Sequence, residues 1–119
     1  MSVEDDLYTT LTGAAGVAAL VGSKVYPGVI PQNTALPAVV YTMFYGGRVA
    51  TLAGDTGGRN PQFQVDSWAT TYEGAKALNE AVHTALAGAV AFKSTPLGDR
   101  DDADPDEKLY RVIAEFSIW

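Results

Sequence analysis

The chain of 119 residues is 47% hydrophobic and 18% charged, apolar enough to fold and long enough to bury one core, so a single domain over 1–119 is expected and disorder is excluded. Fourteen acidic residues against eight basic ones give a net charge of −6; that sign opposes a phosphate backbone, and the basic residues are scattered, which disfavours direct DNA recognition. With no cysteine, there is no disulfide framework, thiolate metal site or cysteine nucleophile.

The start, "MSVEDDLYTT", is acidic where a targeting peptide is basic, and no apolar run approaches the roughly 18 residues that span a bilayer, so no membrane partner is expected. Ser2 is placed to cap a first helix, with Glu4, Asp5 and Asp6 in its first turn. Leu7 and Leu11 share one face of that helix, which runs to about Thr12 before Gly13 ends it. A short second helical turn is expected over "AAGVAALVG", closed by Gly22.

Pro27, Pro31 and Pro37 forbid a long helix and predict a short extended piece, a loop, and a strand beginning at Pro37. "AVVYTMFYGG" has the β-branched and aromatic content of that strand, and "RVATLAG" either extends it past a bulge or starts a hairpin arm. "GDTGGRNPQ" is rich in glycine and turn formers, which predicts the most mobile internal segment, between two strands. "QFQVDSWA" alternates Phe63, Val65 and Ser67 against Gln64, Asp66 and Trp68, a half-buried strand whose Trp68 is expected to tuck under the next helix.

In that helix Thr70 and Glu73 form a capping box, and Ala75, Leu78, Val82, Ala85 and Leu86 recur at helical spacing until Gly88. The same spacing places Glu73, Lys76, Glu80 and His83 on the solvent side. "VAFKSTPLGDRDDADPDEK" reads as a strand running into an acidic loop, and "LYRVIAEFSIW" as a last strand with Tyr110, Val112, Ala114, Phe116 and Ile118 on one face. The fold class is α+β: an antiparallel sheet of about four strands with two main helices on one face. Apolar groups on both faces of "AVVYTMFY" and "RVIAEFSIW" predict a partner surface, a neighbouring copy first of all.

Chemical sites are weakly supported. Ser67 would need a histidine within hydrogen-bond reach, but His83, the only one, falls on the polar helix face, loosely paired with Glu80. Asp102, Asp104 and Asp106 alternate as in a calcium loop, yet the required glycine and terminal glutamate positions hold Glu107 and Ile113, leaving a solvated acidic loop. The glycines of "YGGRVATLAGDTGGR" precede neither a Gly-Lys-Ser/Thr motif nor a helix, so they form no phosphate loop; a long glycine-rich excursion is either a mobile hairpin or a binding element. No catalytic residue, metal or cofactor is assigned, and the enzyme alternative is a small ligand-binding domain with a pocket near Trp68 and Asp66.

"AALVGSKVYPGVIPQ", "LPAVVY", and "QVDSWA" followed by the capped helix "TYEGAKAL" occur in an order that resembles the small tail-completion or tail-terminator proteins of long-tailed bacteriophages and their gene transfer agent relatives. The resemblance covers nearly the whole chain. It implies a non-enzymatic virion subunit, made in the host cytoplasm, whose ring of six copies caps the tail tube, stops its polymerisation and joins it to the head connector. The implied partners are further copies of the chain, the tail tube protein, the head connector or neck protein, and DNA sliding through the lumen without specific binding; another neck or minor tail role is the alternative. Interface roles are then expected for the arm, at Gly46, Gly47, Arg48, Asp55 and Arg59, and for the acidic loop, at Asp101, Asp102 and Asp104.

Overall fold

A computed structural model describes residues 3–51, 54–89, 92–104 and 108–118, with side chains at all of these except 3, 45–51, 54–61 and 104. Ser2, Asp106, Glu107 and Trp119 therefore lie outside the described residues. In chain order the elements are α1 (Val3–Gly13), α2 (Ala15–Val21), β1 (Val25–Pro27), β2 (Ala38–Thr51), β3 (Gly54–Ala69), α3 (Tyr72–Ala87), β4 (Ser94–Asp104) and β5 (Leu109–Ile118).

The helical half follows from local chemistry. Glu4, Asp5 and Asp6 fill the first turn of α1, where unpaired amides and the helix dipole favour negative charge. Helix α2 stops at Gly22, whose φ of 63° suits a residue without a Cβ and whose amide bonds back to Ala18. The cap of α3 is Thr71, not Thr70: its Oγ1 accepts from the Gly74 amide at 3.0 Å, so the helix begins one residue later than a Thr70–Glu73 box requires. At the far end the Gly88 amide bonds to Thr84 O.

The sheet has five strands in the order β1-β2-β3-β5-β4, antiparallel except for β1, which pairs parallel with β2 through Val25–Val39 and Pro27–Tyr41. The extended piece at Val25 is thus a fifth, edge strand, and the short turn after Gly13 is a third helix. Strand β2 starts directly after Pro37, as the proline spacing predicts.

Register sorts the sheet into two faces. Toward the helices lie Val39 and Tyr41 of β2, Phe63 and Val65 of β3, and Ala114, Phe116 and Ile118 of β5, packed with Leu7, Leu11, Val17, Val21, Leu78, Val82 and Leu86. Most of these are fully buried, and each large one contributes about 1.5–3 kcal/mol by leaving water. The alternation read for β3 and β5 is therefore the core-facing pattern.

Trp68 departs from expectation. It is the Cα partner of Ala38 and of Arg111, on the face away from α3, because the period of two that sends Ser67 and Ala69 toward the helices sends Trp68 the other way. The expected surplus of exposed apolar surface on that face is also absent at its centre. Val40, Asp66 and Ile113 are consecutive partners across β2, β3 and β5, and all three are buried in the isolated chain.

"RVATLAG" does extend β2, with a register shift between Val49 and Ala50, into a hairpin arm, whereas two segments read as loops are strands. "GDTGGRNPQ" forms the distal half of β3, paired with β2 through Gly46–Pro61, Gly47–Asn60, Arg48–Arg59, Val49–Gly58, Ala50–Asp55 and Thr51–Gly54. The acidic run from Asp99 to Asp104 lies in β4, paired to β5 down to Asp104–Leu109.

Candidate assembly surfaces

The β2–β3 ribbon outruns the rest of the sheet. Pairing of β3 with β5 begins at Gln62–Ser117, and β1 reaches only Tyr41, so from Tyr45 to Thr51 and from Gly54 to Pro61 the two strands have, among the described residues, only each other as sheet partners. At about 3.3 Å per residue, a ribbon of about eight residues adds about 26 Å to the body. That extension explains principal extents of 54 × 27 × 24 Å and a radius of gyration of 14.9 Å, against about 13.5 Å for a compact chain of this length. Gly46, Gly47, Arg48, Asp55 and Arg59 all lie on this arm; of Arg48, Asp55 and Arg59 the backbone alone is described. Two half-exposed apolar residues, Met43 and Phe44, sit at its root.

The second surface is the sheet edge formed by β4. Its start is bulged: Pro96 pairs with Phe116, Gly98 with Glu115, and Leu97 between them is 49% exposed. Gly98 has φ 155°, a conformation that favours glycine, and such bulges break the regular edge that would otherwise invite indiscriminate pairing.

Beyond the bulge, alternation divides the carboxylates between the two faces. On the helix side, Asp99 Oδ2 accepts from Asn79 Nδ2 at 3.0 Å, and Asp99 Oδ1 lies 2.9 Å from His83 Nε2. Asp101 accepts from Tyr72 Oη at 2.8 Å and from Lys76 Nζ at 2.6 Å; these two hydrogen bonds, that of Lys76 foremost, hold its carboxyl below the usual range. Its carboxylate in turn raises the Lys76 ammonium. Lys76 and His83 are consequently not on a free solvent face, and Asp99 rather than Glu80 is the partner of His83. These partners lie well apart in sequence, so helical periodicity alone does not reveal them.

The open face carries a second network. Arg111 pairs with Asp102 through Nη2 and reaches Asp66 through Nη1 at 3.3 Å, while its guanidinium lies 4.9 Å from the Trp68 ring centroid. Arg100 pairs with Glu115. Hydrogen bonding to Arg111 lowers the Asp102 carboxyl. Burial raises that of Asp66, against the opposing pull of hydrogen bonds from Gln64 (2.9 Å) and Arg111. The ion pairs and the cation–π contact of Arg111 thus surround Asp66 and Trp68, the residues around which the enzyme alternative places its pocket.

Asp101 and Asp102 thus hold their own subunit together before they meet any partner. Of Asp104 the backbone position alone is described, opposite Leu109. By composition strand β4 carries four aspartates, Asp99, Asp101, Asp102 and Asp104, against one arginine, Arg100, with Asp101 and Asp102 paired to Lys76 and Arg111.

The hydrolase arrangement does not form. Ser67 is fully buried in the row Val39–Ser67–Val112, and its Oγ has no hydrogen-bond partner among the described residues. His83 stacks 4.9 Å from the Phe116 ring, and Phe116 pairs with Phe63, four residues from Ser67 along β3; at 3.3 Å per residue the two rows are about 13 Å apart. A depression of about 270 Å³ beside His83 is lined by Thr84, Ala87, Ser94, Pro96 and Phe116. Ser94 donates its hydroxyl proton to Leu86 O at 3.0 Å, so it too lacks the arrangement of an activated nucleophile. Among the described residues no group of three or more His, Cys, Asp or Glu side chains is placed to hold a metal ion, and no helix is long and apolar enough to cross a membrane.

The family model described as tail completion protein gp17 matches residues 5–119. A chain in a solved structure titled "Virion of native gene transfer agent (GTA) particle" superposes with a TM-score of 0.79 at 24% identity, covering 98% of this chain and 92% of that one, which shows a shared fold. No curated protein matches the chain.

Proposed function

Because the chain belongs to the tail completion protein gp17 family, we propose that it is a structural subunit of a phage-like virion that works as a ring, of six copies, seated on the end of the tail tube. In this reading the ring covers the growing end of the tube, which stops polymerisation, and turns a different face to the head connector. The observation that carries it is the unsupported arm. A two-stranded ribbon is marginally stable in water by itself, and this one has, among the described residues, no strand paired to either of its edges. Such an element is suited to order against a neighbour, and the work is done by surfaces rather than by a bond-breaking site.

Charge fits the same role. Six copies at −6 each total about −36, and a negative lumen lets DNA slide without adhering. The test is particle assembly without the chain. The expected products are overlong tubes and tails detached from heads, with light scattering detecting a ring when the purified chain meets tubes. Complete particles with tails of normal length in the absence of the chain would overturn the proposal.

A further inference from the structure

We propose that the arm of one copy lies along the β4 edge of the next, continuing its sheet, so that the ring closes through one repeated head-to-tail contact. The inference rests on the ring reading above and specifies its joint. Strand β4 is the outermost strand of the sheet, with β5 on one side and, among the described residues, no strand on the other. Its eleven residues match the ten from Thr42 to Thr51, whose outer edge lies beyond β1. A strand lacking a partner on one copy and an edge lacking one on another meet each other's backbone needs, as in strand addition.

The chain cannot make this contact with itself. The last row shared by β3, β5 and β4 is Gln62–Ser117–Thr95, and the arm leaves the sheet beyond that row, away from the body of β4. Donor and acceptor are therefore different surfaces of one molecule, the condition for a heterologous contact that propagates and closes into a ring.

Charge selects the occupant. Strand β4 carries four aspartates against one arginine, whereas the arm carries Arg48 and Arg59 against the single Asp55. A second β4 edge would be repelled, and a second copy's arm is attracted. Exposed Leu97 on the acceptor and exposed Met43 and Phe44 at the root of the donor add apolar contact area. The bulge and the acidic side chains thus admit a basic partner while discouraging edge-to-edge association.

Absence of cysteine makes the test clean. Particles are assembled in cells that supply the chain only as R48C/D102C or R59C/D102C, oxidised, and resolved on non-reducing gels, with single-cysteine chains as controls. The expected result is a ladder of linked chains for at least one pairing, with dimers at most in the controls. Particles that contain the chain in wild-type amount yet give no ladder with either pairing would overturn the joint and leave the ring standing. Wild-type particles that contain no chain, or a single copy, would overturn the ring reading itself.

Discussion

His83 Nε2 lies 2.9 Å from Asp99 Oδ1, so a helix residue and an edge-strand residue sixteen positions apart fasten α3 to β4. A carboxylate only accepts, so the histidine nitrogen in this contact carries the proton. The pair is partly exposed, with side chains 24% and 36% accessible, and such pairs contribute about 0.2–1 kcal/mol. His83→Ala also removes the ring contact with Phe116. The expected order in chemical melts is therefore wild type above Asp99→Asn above His83→Ala. Equal stability of all three would show that the seam holds without them.

The cap of α3 gives a sharper contrast. Thr71→Ala removes the oxygen that accepts from the Gly74 amide and should cost about 1 kcal/mol, whereas Thr70→Ala should change little. Gly74→Ala would gain about 1 kcal/mol from helix propensity alone. Here its Cβ would lie 2.8 Å from Thr71 Oγ1 and displace the capping hydroxyl, so no gain is expected in the wild-type chain. In the Thr71→Ala background part of the gain should reappear, limited by the Ala69 Cβ that would lie 3.3 Å from the new methyl, and a double-mutant cycle by urea melts reads the difference.

Trp68 and Phe63 separate the two sides of the sheet. Phe63 is fully buried under the helices, so Phe63→Ala should cost about 3–5 kcal/mol. Trp68 stacks on Arg111 on the open face, and the loss of that cation–π contact in Trp68→Ala should cost about 0.5–2 kcal/mol, leaving a folded subunit. Global unfolding of Trp68→Ala would place its ring in the core after all.

Asp66 gives a pH dependence whose sign is fixed by burial. Its carboxyl is raised above the unfolded value of 3.8 by desolvation. The native state therefore binds more protons than the unfolded one between the two values, and stability falls as pH rises through that window. Asp66→Asn keeps the shape without the buried charge. Its stability relative to wild type should improve from about pH 3 toward neutrality; a constant or opposite trend across urea melts would mean that Arg111 outweighs desolvation.

Removing the arm should spare the fold. Replacing residues 46–60 with a two-residue turn deletes backbone whose sheet partners all lie within the arm. The subunit should melt within about 1 kcal/mol of wild type, because an unsupported ribbon adds little stability, and yet fail to enter particles. Normal incorporation of this variant would remove the arm from assembly.

The sequence by itself determined the elements whose partners are local or whose period is unambiguous. The α3 stripe of Ala75, Leu78, Val82 and Leu86, the strand start after Pro37, the Gly22 stop and the alternation of β3 and β5 follow from repeat length, steric exclusion and φ preference within a few residues. Tertiary structure decided what depends on distant partners. Glycine and aspartate content makes "GDTGGRNPQ" and the acidic run read as loops because those residues weaken isolated strands, but pairing with the extended β2 makes the first the return strand of an arm, and pairing of β4 with β5 turns the second into an edge. The surroundings of Lys76, His83 and Trp68 were likewise settled by the register that set Asp101, Asp99 and Arg111 beside them, since a slip of one residue would exchange the two faces of a strand.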